Sequence, residues 1–249
     1  MSLEEREEQI EATIKPFDSW WTTVFPAKAA NRLVRAIIDT PITPNQITVL
    51  SLVIGISSGA LFVVGCWPAF LAGAILLQIA FILDCADGQL ARSRGEMSRA
   101  GGWLDTATDI FKNFSIFLGL TWGSARSGSS PDIWIWGFFA YFLSVSSMFL
   151  YAIRPPHLRA DEPLSPGEPY GAVEAVYRFI RRRAYFLSFS IPDQLLLISI
   201  GAALNQPRLT IIILTIWGAP ALCFSLLRTW LRLVREDKEG NGRNGEPPP

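Results

Sequence analysis

The chain has 249 residues, of which 50% are hydrophobic and 18% charged, and its 22 basic residues balance its 22 acidic ones. The balanced charge gives no indication of nucleic-acid binding, and the apolar residues gather in long runs, the pattern of a membrane protein with several spans. Three scattered cysteines and a single histidine exclude a disulfide framework, a thiolate metal site and a histidine-rich metal site.

Residues 1–43 are predicted to form an N-terminal cytoplasmic and interfacial region. Residues 1–15 are rich in Glu and lack the basic and apolar segments of a signal peptide. Residues 17–38 combine tryptophans and basic residues with apolar residues at helical spacing. We therefore expect an amphipathic helix in the membrane interface, ended by the two prolines that follow it.

Six apolar segments are predicted to follow as transmembrane helices, each near the ~20 residues that cross the hydrocarbon core. Their predicted bounds are 46–64, 68–90, 102–122, 132–153, 188–204 and 208–231. The predicted fold is all-α, a six-helix transmembrane bundle with an N-terminal interfacial amphipathic helix. Residues 44–235 form the predicted six-span domain, and residues 236–249, rich in Gly, Asn, Glu and Pro, are predicted to be a disordered tail.

The distribution of Lys and Arg predicts which side of the membrane each connection faces. Five of these basic residues lie in the N-terminal region, three at 92–99, six at 154–183 and five from Arg228 onward. The connections at 65–67, 124–131 and 205–208 hold only Arg126 and Arg208. The positive-inside rule places both termini and the turn at 93–100 in the cytoplasm. In a bacterium this would be the inner membrane.

Four aspartates flank that turn, at the end of the second segment and the start of the third. Asp84 and Asp87 are three residues apart and Asp105 and Asp109 four apart, so each pair shares one helix face. An antiparallel hairpin would bring the four carboxylates together, and each costs roughly 2.5–3.5 kcal/mol inside a membrane helix. A compensating cation is therefore expected, and oxygen-only ligands suit Mg²⁺ or Mn²⁺.

Small residues and one arginine accompany the aspartates. Gly88, Ala91 and Gly101 would open a slot beside the carboxylates, although small-residue packing between membrane helices explains them equally well. That packing leaves Arg92 and the aspartates unexplained. Carboxylates, a hard metal and an arginine at a membrane interface predict chemistry on a diphosphate, in which one free carboxylate takes a proton from the attacking hydroxyl.

Together these residues form the pattern Asp84-x-x-Asp87-Gly88-x-x-Ala91-Arg92, eight residues, Gly101-x-x-x-Asp105-x-x-x-Asp109. The pattern resembles the signature of the CDP-alcohol phosphatidyltransferases, class-I integral membrane enzymes. The resemblance implies transfer of a substituted phosphate group from a CDP-alcohol, with CDP-diacylglycerol the expected donor, to an acceptor alcohol with release of CMP, in phospholipid biosynthesis. It also implies a homodimer in the lipid bilayer. The third and fourth segments would supply its apolar face with Phe114, Phe117, Phe138 and Phe142, and lipid contact explains these residues equally well.

The resemblance further implies roles for single residues. Asp84, Asp87 and Asp105 would bind two Mg²⁺ or Mn²⁺ ions and the diphosphate. Asp109 would share the metal site and act as the general base. The remaining residues would bind the cytidine nucleotide: Asn45, Thr48, Gly88, Ala91, Arg92 and Gly101. For Asn45 and Thr48, helix capping and intrahelical bonding are the alternatives.

The acceptor is less defined. Many family members carry Arg after the fourth aspartate, whereas Ile110 stands here. Arg178, Arg181 and Arg182 are candidates for binding an anionic group of the acceptor; membrane topology and attraction to lipid headgroups explain the same arginines. Glycerol phosphate, inositol phosphate, serine and other alcohols all stay open.

Two other functions are weighed against this one. A membrane prenyltransferase of the UbiA type also uses Asp-x-x-Asp pairs with Mg²⁺, but it has more spans and lacks the Gly-x-x-Ala-Arg continuation. A divalent-cation carrier is expected to place ionisable groups deeper in several helices or to repeat its halves, and neither pattern is present.

Overall fold

A computed structural model of the chain describes residues 20–128, 130–155 and 189–243, and all the regular structure in these residues is helical. Their eight helices are α1 Trp20–Val24, α2 Pro26–Ile37, α3 Pro44–Val64, α4 Trp67–Arg94, α5 Arg99–Arg126, α6 Ile133–Ile153, α7 Ile191–Ala203 and α8 Pro207–Arg243. The prediction of an all-α fold is confirmed.

Four of the described helices are long and apolar enough to cross a membrane, namely α3, α4, α6 and α8 as far as Glu236. They indicate an integral membrane protein. Helix α5 has 28 residues but carries several charges in its first half. Helix α7 has 13 residues, a length of about 20 Å against the ~30 Å of the hydrocarbon core. All six predicted segments contain a helix, but a bundle of six spans stays a prediction.

Helices α3 and α5 are in direct backbone contact along a row of glycines. A Cβ atom on Gly119 would overlap the carbonyl of Gly59, and one on Gly123 would overlap the carbonyl of Phe62. A Cβ on Gly59 would in turn overlap Ser115. Small residues let membrane helices approach this closely, and this contact fixes the distance between α3 and the aspartates of α5.

We expect Gly119→Ala to destabilise the protein by about 1–3 kcal/mol, because the added methyl group overlaps backbone that cannot move aside. Thermal unfolding in detergent measures the effect. Gly102→Ala is the matched control on the same helix, since a Cβ there has no atom within 4 Å. The control should be neutral or slightly stabilising, as Ala is in helices. Equal unfolding temperatures of the two variants would contradict the backbone contact.

The N-terminal segment is packed on α4. Helix α2 buries Ala30 and Val34 in a cluster with Ala86 and Leu90 of α4. The guanidinium of Arg94, at the end of α4, donates hydrogen bonds of 2.7–3.0 Å to four backbone carbonyls between residues 37 and 42. These bonds attach the end of α2 to the helix that carries two of the aspartates.

Two predictions at the termini need correction. The helix predicted across residues 17–38 is interrupted: α1 ends at Val24 and α2 begins at Pro26, where proline favours a helix start. Its location in a membrane interface stays a prediction, and residues 1–19 lie outside the described part. At the other end, α8 continues as far as Arg243, into the segment predicted to be a disordered tail.

Candidate active site

The two aspartate pairs lie on a helical hairpin, as the spacing predicts. Helix α4 is followed by Gly95 as its C-cap. The φ of Gly95 is 68°, the left-handed conformation that glycine adopts readily after a helix C-terminus. Helix α5 starts after Ser98, whose hydroxyl accepts a hydrogen bond from the backbone N–H of Gly101 at 3.0 Å. The short turn therefore places Asp84 of α4 opposite the first turns of α5.

Three of the four aspartates form a compact group. Asp84, Asp105 and Asp109 each offer one carboxylate oxygen, and these oxygens lie within 4.8 Å of one another. All three side chains are half-buried. Three converging hard oxygen ligands fit a divalent cation of the Mg²⁺ or Mn²⁺ type, and carboxylates are the ligands these ions prefer. The group therefore fits the metal predicted from the sequence.

Asp87 is not part of this group. It is buried, with 6% of its surface exposed, and its carboxylate accepts a hydrogen bond of 2.6 Å from the hydroxyl of Thr48 on α3. The same hydroxyl lies 3.2 Å from the carbonyl of Pro44, the intrahelical partner considered as an alternative. Thr48 therefore orients Asp87 from the neighbouring helix, and metal binding by Asp87 stays a prediction.

Lys112 pairs with two aspartates of the group, and the sequence analysis missed it. Its ammonium group pairs with Asp84 and, at 2.8 Å, with Asp109, and it donates a hydrogen bond of 3.2 Å to the hydroxyl of Ser51. A signal was present in the sequence, because a lysine three residues after Asp109 shares its helix face.

The small residues lie around the predicted nucleotide site. A Cβ on Gly101 would lie 3.3 Å from the side-chain oxygen of Asn45, so Asn45 and α5 meet beside the turn. A Cβ on Gly88 would lie 3.1 Å from the guanidinium of Arg92. Ala91 is half-buried on the same helix. Gly88, Ala91 and Arg92 thus lie on the last turns of α4, and Asn45 lies beside Gly101 at the start of α5.

The alternative of helix capping by Asn45 is wrong. Thr43 is the N-cap of α3, and its hydroxyl accepts a hydrogen bond from the N–H of Gln46 while the Gln46 side chain accepts one from the N–H of Thr43. This reciprocal capping box satisfies the helix start without Asn45, whose side chain is exposed. The predicted acceptor residues Arg178, Arg181 and Arg182 lie outside the described residues.

The described helices and their carboxylate group define an integral membrane protein with a site suited to a divalent cation. Comparison with known families identifies it further. The model of the CDP-alcohol phosphatidyltransferase family matches residues 41–180, which include both aspartate pairs. The chain belongs to the CDP-alcohol phosphatidyltransferase family.

Curated relatives match over part of the chain. A bifunctional IPC transferase and DIPP synthase of Aquifex aeolicus is 35% identical over 47% of this chain and 26% of its own length. An archaetidylinositol phosphate synthase of Pyrococcus horikoshii is 37% identical over 37% of this chain and 47% of its own length. The matches thus span about a quarter to a half of the length of these relatives.

Solved structures match over more of the chain. The phosphatidylinositol phosphate synthase of Mycobacterium tuberculosis in complex with manganese and citrate has a TM-score of 0.60, covering 81% of this chain and 88% of its own. The same synthase with CDP-DAG bound has a TM-score of 0.58, covering 83% and 94%. Both are 19% identical in sequence to this chain, so they show a shared fold.

Proposed function

We propose that this protein transfers a substituted phosphate group from a CDP-alcohol to an acceptor hydroxyl and releases CMP, as a step of phospholipid biosynthesis. The observation that carries the proposal is the convergence of Asp84, Asp105 and Asp109 within 4.8 Å, in a chain of this family. CDP-diacylglycerol is the proposed donor, and a neighbour of the same fold that binds CDP-DAG supports it.

The proposed cofactor is a pair of Mg²⁺ or Mn²⁺ ions held by Asp84, Asp87, Asp105 and Asp109. When bound, such ions neutralise charge on phosphate oxygens and on the leaving group. A neighbour of the same fold with manganese supports the choice of a divalent metal. Thr48 acts on this site by holding one oxygen of Asp87, which leaves the other carboxylate oxygen for a ligand.

Asp109 is the proposed general base. In the reaction the acceptor oxygen forms a bond to the phosphorus next to the diacylglycerol, and the phosphoanhydride bond to CMP breaks. The acceptor proton passes to the Asp109 carboxylate. Asp109 is four residues beyond Asp105, about 6 Å along the helix axis, so it reaches the same site from deeper along α5. A hydroxyl entering beside the diphosphate would meet it there.

The nucleotide is proposed to bind beside the turn of the hairpin. Asn45 and Gly101 approach each other there, and Gly88 and Ala91 add no bulk that would exclude a cytidine. Arg92 supplies positive charge for the diphosphate. Thr48 contributes to this site through its hydrogen bond to the carboxylate of Asp87.

A phosphorylated polyol is the acceptor to examine first. The relatives named as archaetidylinositol phosphate and phosphatidylinositol phosphate synthases support this choice. Arg178, Arg181 and Arg182 are the proposed ligands of its phosphate. Ile110 stands where many family members have an arginine, so glycerol phosphate, serine and other alcohols belong in the same screen.

The test is an assay of CMP formation by purified full-length protein with CDP-diacylglycerol and Mn²⁺ or Mg²⁺. We expect CMP release that requires one acceptor from the screen and stops when EDTA removes the metal. Release of pyrophosphate from a prenyl diphosphate would instead indicate a prenyltransferase. Metal flux into vesicles without turnover of either substrate would indicate a carrier.

The proposed arrangement has six spans, with both termini and the aspartates in the cytoplasm. We expect a single cysteine at Ser127, placed in a chain whose native cysteines are replaced, to react with an impermeant maleimide only from outside. Met97→Cys, in the turn of the hairpin, is the matched control and should react only from the cytoplasmic side, since its side chain is 72% exposed. Labelling of both positions from one side would overturn this topology.

A homodimer through α5 and α6 is also proposed. Phe114, Phe138 and Phe142 are exposed on these helices and are available to a second copy. Phe117, expected on the same face, is instead buried in the core with 2% exposure. Mass measurement in mild detergent that detects only a monomer would contradict this proposal.

A further inference from the structure

Lys112 is a buried cation with a defined set of partners. Its side chain is 8% exposed, and its ammonium group pairs with Asp84 and Asp109 and donates to Ser51. A lysine has three N–H groups to satisfy, and these three partners account for all of them. Lys112 therefore binds two of the three carboxylates that would bind the metal.

Helix α3 is shaped to hold this lysine. A Cβ on Gly55 would lie 2.8 Å from the Cγ atom of Lys112, so the glycine leaves the groove in which the lysine stem lies. Ser51, one turn earlier, donates its own proton to the carbonyl of Ala80 at 2.9 Å. Its oxygen is thereby oriented to accept from the ammonium group. Two residues of a neighbouring helix thus accommodate the lysine, beyond the ion pairs themselves.

We propose that Lys112 is a resident counter-cation of the metal site, which competes with divalent ions for Asp84 and Asp109 and so weakens metal binding. This inference rests on the proposed function, because it takes the aspartates as metal ligands. Two positive charges that share the same carboxylates in a poorly solvated site repel each other. When the metal leaves, Lys112 still compensates carboxylates whose burial would otherwise be costly.

A consequence is that the fold of the site does not depend on the metal. The carboxylates keep a positive partner both with and without bound metal, so the metal can exchange while the hairpin stays folded. Without Lys112, the carboxylates would depend more strongly on the divalent ion for compensation of their charge. Metal should then bind more tightly and contribute more to the stability of the fold.

The test is titration of purified full-length protein with Mn²⁺, followed by the EPR signal of the free ion, in the absence of nucleotide. We expect Lys112→Met to bind Mn²⁺ at least about tenfold more tightly than the wild type, a coupling typical of interacting sites. Lys112→Arg is the matched control, since it keeps the charge and should bind Mn²⁺ as the wild type does. If Lys112 only orients the aspartates, Lys112→Met will bind Mn²⁺ more weakly or equally, and this overturns the proposal.

Thermal unfolding gives a second readout, because a ligand that binds only the folded state stabilises it by an amount that rises with the logarithm of ligand concentration divided by Kd. The wild type should stay folded in EDTA and gain little from Mn²⁺, whereas Lys112→Met should gain more. Unfolding of the wild type in EDTA would overturn the proposal even if Lys112→Met cannot be purified. So would tighter Mn²⁺ binding by Lys112→Arg.

These measurements do not use turnover, so they separate the two proposals. If the wild type releases no CMP but Lys112→Met binds Mn²⁺ more tightly, the proposal for Lys112 is supported and the transferase function is rejected. If the wild type releases CMP but Lys112→Met binds Mn²⁺ with unchanged affinity, the transferase function is supported and the proposal for Lys112 is rejected.

Discussion

Asp109→Asn should lower kcat by at least about two orders of magnitude, the usual contribution of a general base, while affinity for the CDP-alcohol changes little. The amide keeps the size of the side chain and a hydrogen-bonding oxygen near Lys112, but it cannot take the proton of the acceptor. The measurements are the rate of CMP release at saturating substrates and, separately, the binding of CDP-diacylglycerol.

Mn²⁺ affinity has to be measured in the same variant, because Asp109 belongs to the metal group as well. Asp132→Asn is the matched control: Asp132 pairs with Arg208 at 3.3 Å near the opposite end of α5, about 25 Å along the helix axis from Asp109. The control should keep its rate. Near-normal turnover in Asp109→Asn would rule out its assignment as the base.

Asp105→Asn should weaken Mn²⁺ binding and metal-dependent nucleotide binding together, and turnover should fall with them. Loss of an outer partner of a metal ligand already costs about 10–100-fold, so loss of a ligand should cost at least that much. Asp105 is the clearest position for this test, because the ion pairs of Lys112 go to Asp84 and Asp109. The substitution therefore removes a metal ligand and leaves those pairs in place.

The measurements are an Mn²⁺ titration and the CMP-release assay, again with Asp132→Asn as the control. Undiminished turnover in Asp105→Asn and Asp84→Asn would reject the proposed enzyme altogether. A loss of turnover without any change in metal or nucleotide binding would instead show that Asp105 acts in the chemical step.

Local spacing predicted the convergence of three of the four carboxylates on the hairpin, but not the separate position of Asp87 or the ion pairs of Lys112. The three- and four-residue intervals of the aspartates place each pair on one helix face, and the short turn brings the faces together. Asp84, Asp105 and Asp109 do converge. Family membership, predicted from the same residues, follows from the match over residues 41–180.

Contacts between α3 and the hairpin could not be predicted in the same way. The bond from Thr48 to Asp87 and the groove at Gly55 for Lys112 depend on how deeply α3 approaches its neighbours. Helical periodicity indicates which residues share a face but gives no distance between helices. Phe117, which was expected on an outer face, is instead buried in the core, where its ring contacts Tyr141 of α6.

One error was avoidable from the sequence. Thr43 and Gln46 have the three-residue spacing of a capping box, and that spacing predicts the start of α3 without Asn45. Asn45 is consequently available for a ligand beside Gly101.

The row of glycines between α3 and α5 affects which mutations are expected to inactivate the protein. Gly119 is ten residues from Asp109, about 15 Å along α5, yet it sets how close α3 comes to the aspartates. A bulkier residue there would move Thr48 and Ser51 away from their carboxylate and ammonium partners. A random screen for inactive alleles should therefore recover positions along this row of glycines, which no proposed substrate touches. Such a collection would report the spacing of two helices as well as the residues of the catalytic centre.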